Sequence, residues 1–420
     1  MFQSPIKHRL SNKLMLYLIF LTIWLILFFS QLDLYPKHFT NDINLYQVSW
    51  WNYLNVHGFH GIASINSQLY SILDGHRHYA DYTSIWYFII VLFSKVGLFP
   101  HILSVAASIK YLGAIFTLSS SLFAYLIVKH FQKNDSNWNA TLAASLIMFT
   151  PPFLGDILKT NLPDSSYISL ILLSLLLFLK EKHILSWFLF GVAIYFKAMA
   201  LYIAPLYIFY YLYTFKKSSI IDKLSPLFSF IGLVFASLPG YFAGLSLWES
   251  SFGTLLQRTS STIGAGNGFL SIVDGKQPFV NFPAIVPDNV SNFQTISFLL
   301  MIILIFLTIF LLFQTNSIKN LTLSAIDLTI ISPIIFWFFL PGQHENYFSL
   351  AAVFSFLAFS IMPIKKYFIL FVSLNFLLWE SFHFVPKALF NPYWFIIIML
   401  YLVWELLSRS EVQSNGQLIV

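Results

Sequence analysis

Apolar runs approaching the length needed to cross a bilayer recur along this 420-residue chain, and they restrict its fold more than any other feature. Three of them read "LMLYLIFLTIWLILFF", "ISLILLSLLLFL" and "ISFLLMIILIFLTIFLLF". In hydrocarbon every backbone N–H and C=O must find its partner within the protein, so such runs form helices. Hydrophobic residues make up 58% of the chain and charged residues 10%, whereas soluble domains carry roughly a quarter charged. The expected fold class is all-α and polytopic, with about 11–13 transmembrane helices. The expected organisation is one transmembrane domain over residues 1–409, followed by a cytoplasmic tail at 410–420.

The net charge of +6 is dispersed in short clusters between the apolar runs, which argues against a nucleic-acid surface. Lys7 to Lys13, Lys129 to Lys133, Lys180 to Lys182, Lys216 to Lys223, Lys319, Lys365 with Lys366, and Arg409 all fit the cytoplasmic side. Both termini then face the cytoplasm, and the first apolar run is expected to be a retained span. It is preceded by Lys7, Arg9 and Lys13, and no small-residue cleavage site follows it. Residues 84–128 resist the scheme, because they read as two spans where an odd number is required. With no cysteine, thiol nucleophiles and disulfides are excluded.

Two long segments, about 32–83 and 246–295, are expected outside the membrane. Asp42, Asp74, Asp81, Asp156, Asp164, Glu249, Asp274, Asp288, Glu345 and Glu380 all fall in or beside outer segments. They define either an acidic outer chamber or simply the polar content that short loops require. In the first loop, Tyr46, Trp50, Tyr53 and Leu54 recur at helical spacing, which predicts an amphipathic interfacial helix with Asp42 at its start. Helix capping and base catalysis explain that Asp equally well. His76 and His78 beside Asp74 and Asp81 have donor types suited to a divalent cation, but their spacing matches no metal motif, and a solvated histidine-rich loop is the alternative. Between Lys182 and Lys216 there is room for two short helices meeting near Lys197 on the outer side. An ordinary reading of Lys197 is an ammonium snorkelling from a helix end.

Several stretches together resemble the GT-C fold glycosyltransferases, integral membrane enzymes that use polyprenyl- or dolichyl-phosphate sugars. They are "NDINLYQVSWW", "HYADYTSIWYFIIVLF", "TPPFLGDILKTNLPDSSY", "FLFGVAIYFKAMALYIAPLYI" and "PGQHENYFSLAAVF". The last resembles a His-Glu-Arg-Tyr-type element, with Asn346 where the family usually has Arg; Thr83 and Ser84 likewise stand where prolines are common.

The resemblance implies a GT-C-like bundle with a large extracytoplasmic first loop carrying interfacial helices, and a polyprenyl-phosphate-sugar donor. It also implies a hydroxyl acceptor on a glycan, lipid or protein, and an extracytoplasmic active site. The membrane would be the plasma membrane in a bacterium or the ER membrane in a eukaryote. Carried over to this chain, Asp42 is the catalytic base, and Lys197, with His344 and Arg258, binds the donor phosphate. Glu345, Tyr347, Asp81, Asp164 and Trp50 are then the substrate contacts. A flippase-like transporter and a polysaccharide polymerase are the rival classes; the former calls for mid-span charges and often a repeat, the latter for more outer-loop arginines.

Overall fold

The computed structural model describes residues 5–33, 47–66, 70–73, 76–79, 82–95, 105–132, 137–155, 164–254, 290–313, 318–340, 345–381 and 393–414. Helices dominate. In chain order those of ten or more residues are α1 (Pro5–Asp33), α2 (Val48–His57), α3 (Ser84–Lys95), α4 (Val105–Phe131), α5 (Trp138–Ile147), α6 (Asp164–Leu179), α7 (His183–Phe196) and α8 (Ala204–Thr214). There follow α9 (Leu227–Phe242), α10 (Val290–Phe313), α11 (Ile318–Phe339), α12 (Ser349–Ile361), α13 (Lys365–Ser381) and α14 (Tyr393–Ser414).

Three helical stretches among the described residues are long and apolar enough to cross a membrane: Asn12–Ser30, Ala107–Phe131 and Gln294–Phe313. Seven further apolar helices of 10–17 residues accompany them. Across 84–128 the described residues form α3 and α4. The last helix runs on to Ser414, past the expected start of the tail at Ser410, because no Gly or Pro interrupts it there.

One element departs from an all-helical expectation. Strands β1 (Tyr70–Leu73) and β2 (His76–Tyr79) pair antiparallel, with Tyr70 opposite Tyr79 and Leu73 opposite His76. That register leaves only Asp74 and Gly75 between the strands, the residue pair whose backbone preferences suit a two-residue hairpin. Part of what reads as a histidine-rich loop is therefore strand.

The described residues divide into two compact units. The first comprises Met1–Ala200 with Ile220–Ser261. Its tightest seam is between α7 and α9, where Gly191 faces the backbone of Ser229 and Gly232 faces that of Phe188. Absence of side chains lets the two backbones approach closely, which is how apolar helices gain packing energy when no hydrophobic drive separates them from lipid. Polar pins join other pairs: Ser121 Oγ donates to the Ala144 carbonyl at 2.7 Å, and Ser174 and Ser186 exchange hydroxyl-to-carbonyl bonds of 2.6 and 2.8 Å.

After α9 the chain restarts as a helical turn with a reciprocal cap. Ser246 N–H donates to Glu249 Oε2 at 2.9 Å, and Glu249 N–H donates to Ser246 Oγ at 3.1 Å. The backbone bond, then the side-chain bond, hold the Glu249 carboxyl below the usual glutamate range. The cap therefore stabilises the turn above the ordinary glutamate range and is lost as pH falls through the lowered value. The residues behind it, Glu249–Gly253, form a single π turn.

The second unit comprises Leu201–Ser219 with Thr262–Val420. Here Ser297 Oγ donates to the Phe339 carbonyl, Ser332 Oγ to the Tyr202 carbonyl, and Asn375 Nδ2 to the Ala352 carbonyl at 3.1 Å. An aromatic cluster of Trp337, Phe348 and Phe395 packs with centroid separations of 4.2–5.3 Å. Within this core lies an ion pair. Lys366 Nζ donates to Asp327 Oδ1 at 2.6 Å and Tyr367 Oη to the same oxygen at 3.0 Å, with Asp327 and Tyr367 fully buried.

Two charges removed from water hold a helix pair in register only while both are present. A double-mutant cycle of Asp327→Leu and Lys366→Met is expected to give a coupling of about 1–3 kcal/mol, the double variant melting above either single. Additive single effects in detergent melts would show that the pair is not coupled.

Candidate functional site

The best-defined charged constellation of the first unit is built at a helix break. α7 closes its last turn with the Lys197 N–H donating to the Ala193 carbonyl, and Lys197 itself is extended, with φ −153° and ψ 125°. A 3-10 turn, Ala198–Ile203, follows, and α8 begins with Pro205 in its first turn, where the missing N–H costs nothing. This is the arrangement of two short helices expected around Lys197.

Opposite it, Asp164 is the first residue of α6, where the positive end of the helix dipole favours a carboxylate. The Lys197 ammonium donates to Asp164 Oδ1. Asp164 is 1% exposed and the Lys197 side chain 13%, so the carboxylate is sequestered while the lysine side chain is only partly buried. The Tyr167 ring lies 5.8 Å from Lys197 Nζ, close enough for a cation–π contact.

The end of α7 is fixed by a second polar junction. Tyr195 Oη donates to the Ser250 carbonyl, and Ser84 Oγ lies 2.7 Å from Tyr195 Oη. Gly240 makes the crossing possible, since a Cβ there would come within 3.0 Å of both Ser84 and Ser250. Elements α3, α7, α9 and the π turn thus meet two residues from Lys197, so its backbone is held from several sides.

The residues expected to form a site are distributed unevenly. Lys197 and Asp164 meet, but Asp164 serves as the partner of Lys197, a role that a substrate contact does not require. Trp50 lies on α2, 1% exposed, its ring edge-to-face with Tyr82 at 5.6 Å and Tyr87 at 5.3 Å. Trp51 and Leu54 are buried with it, so this face of the expected interfacial helix is spent on protein packing. In the second unit, Glu345 opens the turn Glu345–Phe348 and Tyr347 is half-buried. Asp42, Asp81, Arg258 and His344 lie outside the described residues. Among the described residues no group of three His, Asp or Glu could hold a metal ion.

Sequence reasoning passed over two ionisable groups. Lys110 on α4 is 1% exposed, and Asp327 on α11 is fully buried. The signal for both was in view: each is a lone charge inside an apolar helical window, where a charge is costly and seldom incidental.

Compared with known proteins, the chain matches no family model and no curated protein.

Proposed function

We propose that this protein is a membrane glycosyltransferase that moves a hexose, mannose or glucose, from a polyprenyl-phosphate sugar to a hydroxyl acceptor on the outer face of the membrane. The observation that carries the reading is the Lys197–Asp164 pair at the helix break: a partly buried cation backed by a buried carboxylate, at the expected outer ends of two helices. A leaving phosphate needs such a preorganised positive group, because a charge fixed in place before reaction requires no reorganisation as the phosphate departs.

The step is an inverting displacement. The acceptor hydroxyl loses its proton to the Asp42 carboxylate, its oxygen attacks the anomeric carbon from the face opposite the phosphate, and the bond from that carbon to the phosphate oxygen breaks. The electron pair leaves with the polyprenyl phosphate, whose added negative charge Lys197 neutralises. Asp164 holds the ammonium in place. Arg258 adds a donor to the phosphate and Asp81 contacts the sugar or acceptor in this reading, whereas Trp50 is spent on packing against Tyr82 and Tyr87.

The test is transfer of labelled hexose from polyprenyl-phosphate donors by the purified protein. Wild type is expected to transfer, and Asp42→Asn to be slowed about 10²–10⁴-fold, as for loss of a general base. Full activity of Asp42→Asn would remove the base assignment.

A second reading, a transporter of lipid-linked saccharides, is favoured by one observation: Asp327, Lys366 and Lys110 are buried ionisable groups on helices, a pattern common along substrate paths. Translocation of a labelled lipid-linked sugar across proteoliposomes without any sugar transfer would establish it instead.

A further inference from the structure

One end of the first unit gathers lysines from several helices. Lys13 Nζ lies 5.7 Å from the centre of the Trp138 ring, which ties α1 to the first residue of α5. α1 runs antiparallel to α4, since Tyr17 Oη meets Ser121 Oγ at 3.4 Å while Phe28 packs edge-to-face on Tyr111 at 5.1 Å. The end of α4, where Lys129 is exposed, therefore lies at the level of Lys13. α6 packs along α4 from Gly113 onward, where a Cβ would stand 3.9 Å from Ser165 Oγ. Lys129 is 16 residues past Gly113 and Lys180 is 15 past Ser165, so both reach one level. α7 and α9 run side by side in the same direction: the Phe188 and Phe235 rings meet at 5.5 Å, and further on Tyr195 and Gly240 both reach Ser84. Lys182, just before α7, and the helical turn Ile220–Lys223, just before α9, thus emerge at this same end.

Beside these lysines the surface is apolar. Ile220, Leu224, Leu227, Ile231 and Phe235 recur every three or four residues and are all 47–77% exposed, so one continuous stripe runs from α9 onto the turn before it. We infer that this end of the first unit is a docking surface for an anionic phospholipid leaflet. Residues 220–227 enter the acyl boundary, and Lys129, Lys180 and Lys182 meet the headgroup phosphodiesters. The inference rests on the membrane-spanning reading and is independent of the sugar transfer proposed above. Charge favours an anionic partner: among the described residues Lys13, Lys129, Lys180, Lys182 and Lys223 are joined at this level by two acids, Glu181 and Asp222. An orientation signal requires the charges but not the exposed stripe beside them. An anionic leaflet satisfies both halves of the surface, with phosphodiesters for the lysines and acyl chains for the stripe.

The chain has no cysteine, so Ile221→Cys labelled with bimane provides a unique reporter on the turn. The full-length protein is reconstituted in phosphatidylcholine–phosphatidylglycerol vesicles in which one lipid or the other carries bromine in its acyl chains. Phe306→Cys, 67% exposed in the apolar span Gln294–Phe313, is the control for membrane insertion. The label at 221 is expected to be quenched about fivefold more strongly by the brominated phosphatidylglycerol. Lys180→Gln with Lys182→Gln is expected to abolish that preference while quenching by brominated phosphatidylcholine persists. Should the double substitution prevent folding, salt decides on the unsubstituted lysines: about 0.5 M is expected to erase the preference by screening.

Quenching at 306 with none at 221 overturns the docking surface, and a dimer seen by light scattering in that case assigns the face to a second copy of the chain. Equal quenching at 221 by the two lipids, or a preference that survives the lysine substitutions or the salt, overturns anionic selection at this end. No quenching at either position overturns the membrane-spanning reading as well.

Discussion

Lys197→Met is expected to cripple the protein twice, and a second substitution separates the two effects. The first loss is in stability, because the variant leaves the Asp164 carboxylate, 1% exposed, without its cation. Stranding one member of a buried pair costs about 3–5 kcal/mol. Adding Asp164→Asn removes the stranded charge and is expected to recover most of the melting temperature in detergent. If the protein is the proposed glycosyltransferase, transfer from a polyprenyl-phosphate donor is not expected to recover, since the charge that would meet the leaving phosphate is still missing. A deficit of about 10²–10³-fold, the size seen when a preorganised donor is removed from a transition state, should persist in the double variant. A double variant that is both stable and active would show that the pair is only a structural clasp.

Gly191→Ala carries the other large effect, through packing alone. A methyl there would overlap the Ser229 carbonyl oxygen and lie 2.6 Å from its carbon, and these are backbone atoms of α9 that no rotamer change can move. The α7–α9 crossing has to open, with the Tyr195–Ser250 junction strained along with it. Overpacking of this kind costs typically 1–3 kcal/mol and more when backbone is in the way, so a loss of at least about 3 kcal/mol is expected. Gly113→Ala is the control: its nearest neighbour would be 3.9 Å away, an ordinary contact. Ala exceeds Gly in helix propensity by about 1 kcal/mol, so this variant is expected to melt at or above wild type. Equal melting of Gly191→Ala and wild type would show that the two helices are not locked at that point.

Much of the fold was readable in one dimension. The apolar runs announced helices, and the break at Lys197 followed from the length of chain between Lys182 and Lys216. The amphipathic segment after the first run does form a helix, Val48–His57, although its aromatic face packs on Tyr82 and Tyr87. Periodicity states that a face is apolar, and whether lipid or protein covers it depends on what folds against it. The β1–β2 hairpin lies where the chain reads as a histidine-rich loop, and its turn signal is the Asp74-Gly75 pair beside the histidines.

The sequence by itself determined that this chain is helical, with runs long and apolar enough to cross a membrane, and where its ionisable residues interrupt them. Only the tertiary structure decided which charges meet. Asp164 finds Lys197 at a separation of 33 residues and Asp327 finds Lys366 at 39. The physical reason is that helix formation in an apolar run depends on each segment's own backbone bonds and side chains. Compensation of a buried charge depends instead on the partner that packing brings within a few ångströms, and no local pattern encodes that partner.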